Sequence, residues 1–155
     1  MGFVSWVSNL LGLDSNRPAA GAVANKTEPD EIEGLNFRTA VDAHQIWKNR
    51  LHNFITGKSQ EKLDANIIAR PDKCVLGKWM TQIGDERYSG EKLYQNLQTA
   101  HAQFHHNASL VLTTAQSGNQ KLALQMLERG DYQVSALRVV SLLARLYHRC
   151  QDGTI

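Results

Sequence analysis

His101 and His105 stand four residues apart in a predicted helix, a spacing that brings two imidazoles onto one face with Cβ atoms about 5–6 Å apart. Rings so placed can share a metal ion at about 2.0–2.1 Å per bond. The spacing alone is common, and a buried histidine is often satisfied by a hydrogen bond instead. Two further residues strengthen the metal reading. His44 falls on a helical seam where an apolar side chain is expected, and an unpaired ring buried there would cost about 1–3 kcal/mol. Cys74 follows Pro71-Asp72 at a predicted helix start, where orphan N–H groups and the helix dipole favour the thiolate, the form that binds zinc. Three imidazoles and one thiolate make a closed tetrahedral set suited to Zn2+.

The same donors argue against catalysis. Ala102 follows His101 where a zinc-protease helix carries Glu, and four protein ligands leave no position for an activated water. Nucleophilic catalysis by Cys74 with a histidine base would ask the rings to abandon a metal set they complete. The chain is expected not to be an enzyme.

These residues need helices to position them. Phe37, Ala40, Val41, His44, Trp47, Leu51, Phe54 and Ile55 step by threes and fours to Gly57, the seam of a bundle helix. Lys58 to Arg70 reads as a loop with one turn around Leu63 to Ile67. A short helix is predicted from Pro71, with Asp72 as its cap and Cys74 in its first turn. A long helix follows Gly90 and carries both His101 and His105. Gly118-Asn119 ends it, Leu122 to Leu127 form a short amphipathic helix, and Gly130-Asp131 start a last one with Val134, Leu137, Val140, Leu143 and Leu146 inward. No stretch alternates with period two for long enough to make a strand. The expected fold is all-α, an antiparallel bundle of four or five helices over residues 35–150. Ahead of it, Phe3, Trp6, Val7, Leu10 and Leu11 share one face of an amphipathic segment over residues 1–13, too short to be stable alone. Residues 14–34, without an apolar period, read as a flexible linker.

Composition narrows the function. The 155 residues are 42 % hydrophobic, enough for one core. Seventeen basic against 15 acidic residues give a net charge of +2 with no basic stripe, so nucleic acid is not an expected partner. Two cysteines are too few for a disulfide framework and no secretory signal stands at the start, which points to the cytoplasm. The N-terminal apolar stretch is too short to span a bilayer, and the lack of any Lys or Arg before Arg17 disfavours membrane contact. His52 falls off its seam and is assigned to the surface, His106 and His148 are read as solvent-facing, and Cys150, without a partner at ligand spacing, is read as a bystander.

The completed pattern is His44-x-x-Trp47, Cys74-x-Leu76-Gly77-x-Trp79 and His101-x-x-x-His105, with 26 residues between the first two blocks and 21 between the last two. Across roughly Leu35 to Leu146 it resembles the chemoreceptor zinc-binding (CZB) domain family of bacterial cytoplasmic sensor modules. The resemblance implies a helical bundle, often a homodimer, with zinc on His44, Cys74, His101 and His105. Such domains are usually attached to chemotaxis receptors or diguanylate cyclases and modulate their output in response to zinc or to oxidants such as hypochlorous acid. This chain has neither a GGDEF-like motif nor a receptor's coiled-coil hairpin, so a standalone member would act in trans on a signalling partner, a diguanylate cyclase or chemotaxis protein. The rival expectation is a structural zinc in an interaction or adaptor protein. Around the ligands, Gly77 is expected to let the short helix approach another helix, and Trp47 and Trp79 to wall the site from water or to serve as ordinary core.

Overall fold

The computed structural model describes residues 30–155. The amphipathic segment expected over 1–13, and residues 14–29 of the expected linker, lie outside the described residues. The protein is an all-α helical bundle, and the sheet among the described residues is one small antiparallel hairpin of β1 (Glu31–Ile32) and β2 (Leu35–Asn36), with Glu31 opposite Asn36 and Ile32 opposite Leu35.

Asn36 ends the hairpin and starts α1 (Phe37–Ile55), because its side chain accepts the Thr39 N–H at 2.8 Å and so satisfies one of the donors that a helix start leaves free. Phe37, Ala40, Val41, His44, Leu51 and Ile55 are buried along one face, as their spacing predicts. Asp64 caps the single turn α2 (Ala65–Ile68), and a 3-10 turn over Pro71–Lys73 leads into α3 (Val75–Trp79). The wide turn of a π-helix (Met80–Gly84) joins α3 to α4 (Asp85–Tyr88), a continuation that the sequence pattern does not announce. The Tyr94 hydroxyl anchors that turn, lying 2.8 Å from Asp85 Oδ1 and 3.1 Å from the Met80 carbonyl. The long helix α5 (Lys92–Gln116), α6 (Gln120–Arg129) and α7 (Asp131–Gln151) complete the chain.

Helices α1, α5, α6 and α7 enclose the core, and α2 to α4 lie across one side of α5. The first turn of α1 meets the end of α7, where Phe37 and Tyr147 have ring centroids 5.4 Å apart. His44, two turns on, shares a cavity with Tyr132 near the start of α7, so the two helices run antiparallel.

Two sequence expectations need correction here. Val134 and Leu137, expected inward, are 64 % and 44 % exposed; Val140, Leu143 and Leu146 are buried as expected, joined on the inner face of α7 by Tyr132, Ser135, Val139, Leu142 and Tyr147. Asn107 of α5 sets that rotation: its amide donates to the Asp131 carbonyl and to Ser135 Oγ, each at 3.1 Å, turning the Ser135 side toward α5. Asp72 does not cap a helix. Its carboxylate pairs with Arg70 at 2.7 Å, and the cap of α3 is Cys74 itself, whose Sγ accepts the Gly77 N–H at 3.3 Å.

Candidate metal centre

Three elements bring four donors together. His44 comes from the middle of α1, Cys74 from the cap of α3, and His101 and His105 from successive turns of α5. One ligand atom from each lies within 4.8 Å of every other. The histidines are 3 %, 1 % and 5 % exposed, and Cys74 is half-buried. His101 Nε2 is 3.0 Å from His105 Nε2, within a few tenths of the roughly 3.3–3.4 Å edge of a tetrahedron with 2.0–2.1 Å zinc–nitrogen bonds, and 3.1 Å from Cys74 Sγ.

Backbone carbonyls orient two of the rings. His44 Nδ1 donates to Ala40 O at 2.6 Å, and His105 Nδ1 donates to Ile68 O at 2.7 Å. Each bond leaves Nε2 as the atom with the lone pair, aimed into the cluster, which is the usual outer support of a metal-bound histidine. Among the described residues, His44 Nε2 is fully buried with no hydrogen-bond partner. A buried acceptor beside three further ligand atoms is costly unless a cation sits among them, so the residues present fit a metal ion.

The electrostatics agree. Burial pushes the His44 ring down to about 4 and, with His44 and His105 as neighbours, the His101 ring down to about 2; burial lowers His105 as well. All three are neutral near pH 7, the form that ligates. Cys74 departs from the sequence expectation of a thiol already lowered by a helix start. Burial raises it, outweighing the lowering by the Gly77 and Leu76 N–H groups, so its proton is one that an arriving cation displaces.

The structure divides the residues expected to surround the site. Trp47 stands beside it, lining a cleft of about 260 Å³ that also exposes Cys74 and His105, with the Arg50 guanidinium 3.8 Å above the indole. Trp79 does not wall the site: it is 4 % exposed, packs on Phe37, Tyr88 and Tyr94, and donates its indole N–H to Glu33 O at 3.0 Å. Gly77 makes a close approach to its own chain and not to another helix, since a Cβ there would fall 1.8 Å from Pro71 O. Ala40 and Ile68 act through main-chain oxygens, and no side-chain pattern could have singled them out.

A helical bundle that converges three neutral imidazoles and one thiol on a common point defines the class of a zinc-binding helical domain. Residues 44–112 match the family described as the chemoreceptor zinc-binding domain, and His44, Cys74, His101 and His105 are clustered there as a site for a zinc cofactor. The matched span begins at His44 and contains all four donors. No curated protein and no solved structure matches the chain. Among the described residues, no helix is long and apolar enough to cross a membrane.

Proposed function

We propose that this protein is a zinc-dependent regulatory module without enzymatic output of its own, with zinc held by His44, Cys74, His101 and His105. The observation that carries the reading is the asymmetry of the donors: the three rings come from long helices and are at most 5 % exposed, whereas Cys74 is half-buried at the cap of a five-residue helix and lines a cleft. A site meant only to staple the bundle gains nothing from an accessible sulfur. An exchangeable or oxidisable sulfur suits a sensor.

In this reading the signal is zinc itself or an oxidant such as hypochlorous acid. Oxidation passes two electrons from sulfur to the oxidant, which leaves as chloride while its oxygen ends on Cys74 as a sulfenic acid. The weakened ligand lets α3 move relative to α1 and α5, and a signalling partner in trans, a diguanylate cyclase or a chemotaxis protein, reads the change. The module works in the cytoplasm as a homodimer.

The test is zinc content by mass spectrometry of the wild type, His101→Ala and Cys74→Ala, followed by one equivalent of hypochlorite on the zinc-loaded wild type. The expectation is about one zinc per chain, lost in both variants, and released from the wild type by the oxidant. Zinc that stays bound until the protein unfolds would replace the sensor with a structural staple.

A further inference from the structure

The exposed side of α7 and the residues ahead of the fold are related by the point at which the chain joins the bundle. Asp30 is 5 % exposed; its carboxylate accepts Arg38 Nε at 2.8 Å and lies 3.4 Å from the Tyr147 hydroxyl. The chain therefore enters between the start of α1 and the end of α7. Two turns further along the same helix pair, about 10 Å at 1.5 Å per residue from Arg38 to Gln45, α1 and α7 part over a cavity of about 410 Å³. Ala136, Leu137 and Val140 give it an apolar wall, and Gln45, Lys48 and Asn49 line it from α1. Val134 and Leu137 expose apolar surface on the same stretch of α7.

We propose that this cavity seats the N-terminal segment of the same chain, with the Trp6 ring as its anchor. The spacing of Phe3, Trp6, Val7, Leu10 and Leu11 predicts an apolar stripe that would need a surface to cover it. Residues 14–29 reach up to about 50 Å when extended, several times the distance from Asp30 to the cavity. Tethering on this scale makes the encounter intramolecular and raises the effective concentration of the segment. Among the residues of the stripe, Trp6 matches the lining best. Its ring suits the Ala136, Leu137 and Val140 wall, its indole N–H finds an acceptor in the Gln45 or Asn49 amide, and the Lys48 ammonium complements its face. Phe3 and Leu10 offer no donor, and belong against the exposed Val134 beyond the rim. His44 also lines the cavity, but the contacts invoked for the segment are those of Gln45, Lys48, Asn49, Ala136, Leu137 and Val140.

The experiment compares 1H–15N correlation spectra of the full-length wild type, Trp6→Ala and Leu137→Glu. Trp6→Ala is expected to shift the amide signals of Gln45, Asn49, Gln133 and Ala136 while those of Leu97 and Val111 in α5 stay in place. Leu137→Glu is expected to shift the signals of residues 3–11, and neither difference should change on tenfold dilution. Shifts from Trp6→Ala confined to residues 1–13 would overturn the proposal. So would differences that vanish on dilution, which give the cavity to a second copy's segment. Unmoved cavity signals together with Trp6-dependent binding to phosphatidylglycerol vesicles would assign the segment to a lipid surface instead. If Leu137→Glu fails to fold, Trp6→Ala alone decides.

Discussion

His44 Nδ1 donates to the carbonyl oxygen of Ala40, one turn back on the same helix, at 2.6 Å. A carbonyl only accepts, so the proton is on Nδ1 and the lone pair on Nε2. His105 repeats the arrangement with Ile68 O. Two of the three imidazoles are thus held in the tautomer and direction that metal binding requires, and little reorganisation remains to be done when a cation arrives.

Proton release should report the charge state of the site. With three rings neutral and Cys74 raised above the ordinary thiol range, zinc binding at pH 7 displaces the thiol proton and little else. Calorimetry in two buffers of different ionisation enthalpy should give about one proton per zinc, and affinity should rise about tenfold per pH unit between roughly pH 6 and 8. Cys74→Ala should abolish the release along with most of the affinity. Release of two or more protons would mean that the rings are charged before binding.

Acid should destabilise the zinc-free protein. All three ring pKa values are lower in the fold than the ordinary 6.5, so the unfolded chain binds more protons as the pH drops. Stability is full above about pH 6.5 and declines as the pH falls toward 4 and below, with His44 alone contributing up to about 3 kcal/mol. Urea midpoints of the zinc-free protein should be clearly lower at pH 4.5 than at pH 7. Equal midpoints would contradict the burial of neutral rings.

Gly77→Ala tests how Cys74 is placed. The new methyl group would lie 1.8 Å from Pro71 O, so the 3-10 turn must open and the Sγ cap on Gly77 N–H must loosen. Zinc affinity should fall by about 10–100-fold, the range seen when support around a metal ligand is lost. Circular dichroism should show the long helices intact. Competition with a chromophoric chelator measures the loss.

Trp79→Phe separates the core from the site. The substitution removes the bond from the indole N–H to Glu33 O and trims packing against Tyr88 and Tyr94. Thermal denaturation should show a loss of about 1–3 kcal/mol. Zinc affinity should change less than twofold, in contrast to Gly77→Ala. A large fall in affinity would return Trp79 to the metal site.

How much of this was legible beforehand depends on what each residue answers to. His44 showed itself because a polar ring broke an apolar seam, and His101 and His105 because one helical turn separates them, both local properties of a regular helix. The boundaries of α1, α5 and α7 were readable for the same reason. The rotation of α7 was not, since it follows from Asn107 bonding to Asp131 O and Ser135 Oγ across the bundle. Trp47 and Trp79 looked equivalent in sequence, yet Arg50 and the open cleft keep one near the metal donors, while Glu33 O draws the other into the core. The hairpin at residues 31–36 escaped because two-residue strands carry no readable alternation.

The unequal lengths of the supporting helices bear on time as well as on affinity. Three donors ride on helices of 19 and 25 residues, and the fourth on a helix of five. Local opening costs least where few backbone bonds must break, and Cys74, at the cap of a helix that runs on through the π-helical turn to Tyr88, is the donor whose release breaks the fewest. The dwell time of a bound ion should then follow the opening of the Cys74 cap and not the unfolding of the bundle. Substitutions that toughen α1, α5 or α7 would prolong the life of the fold while leaving the rhythm of metal exchange almost untouched.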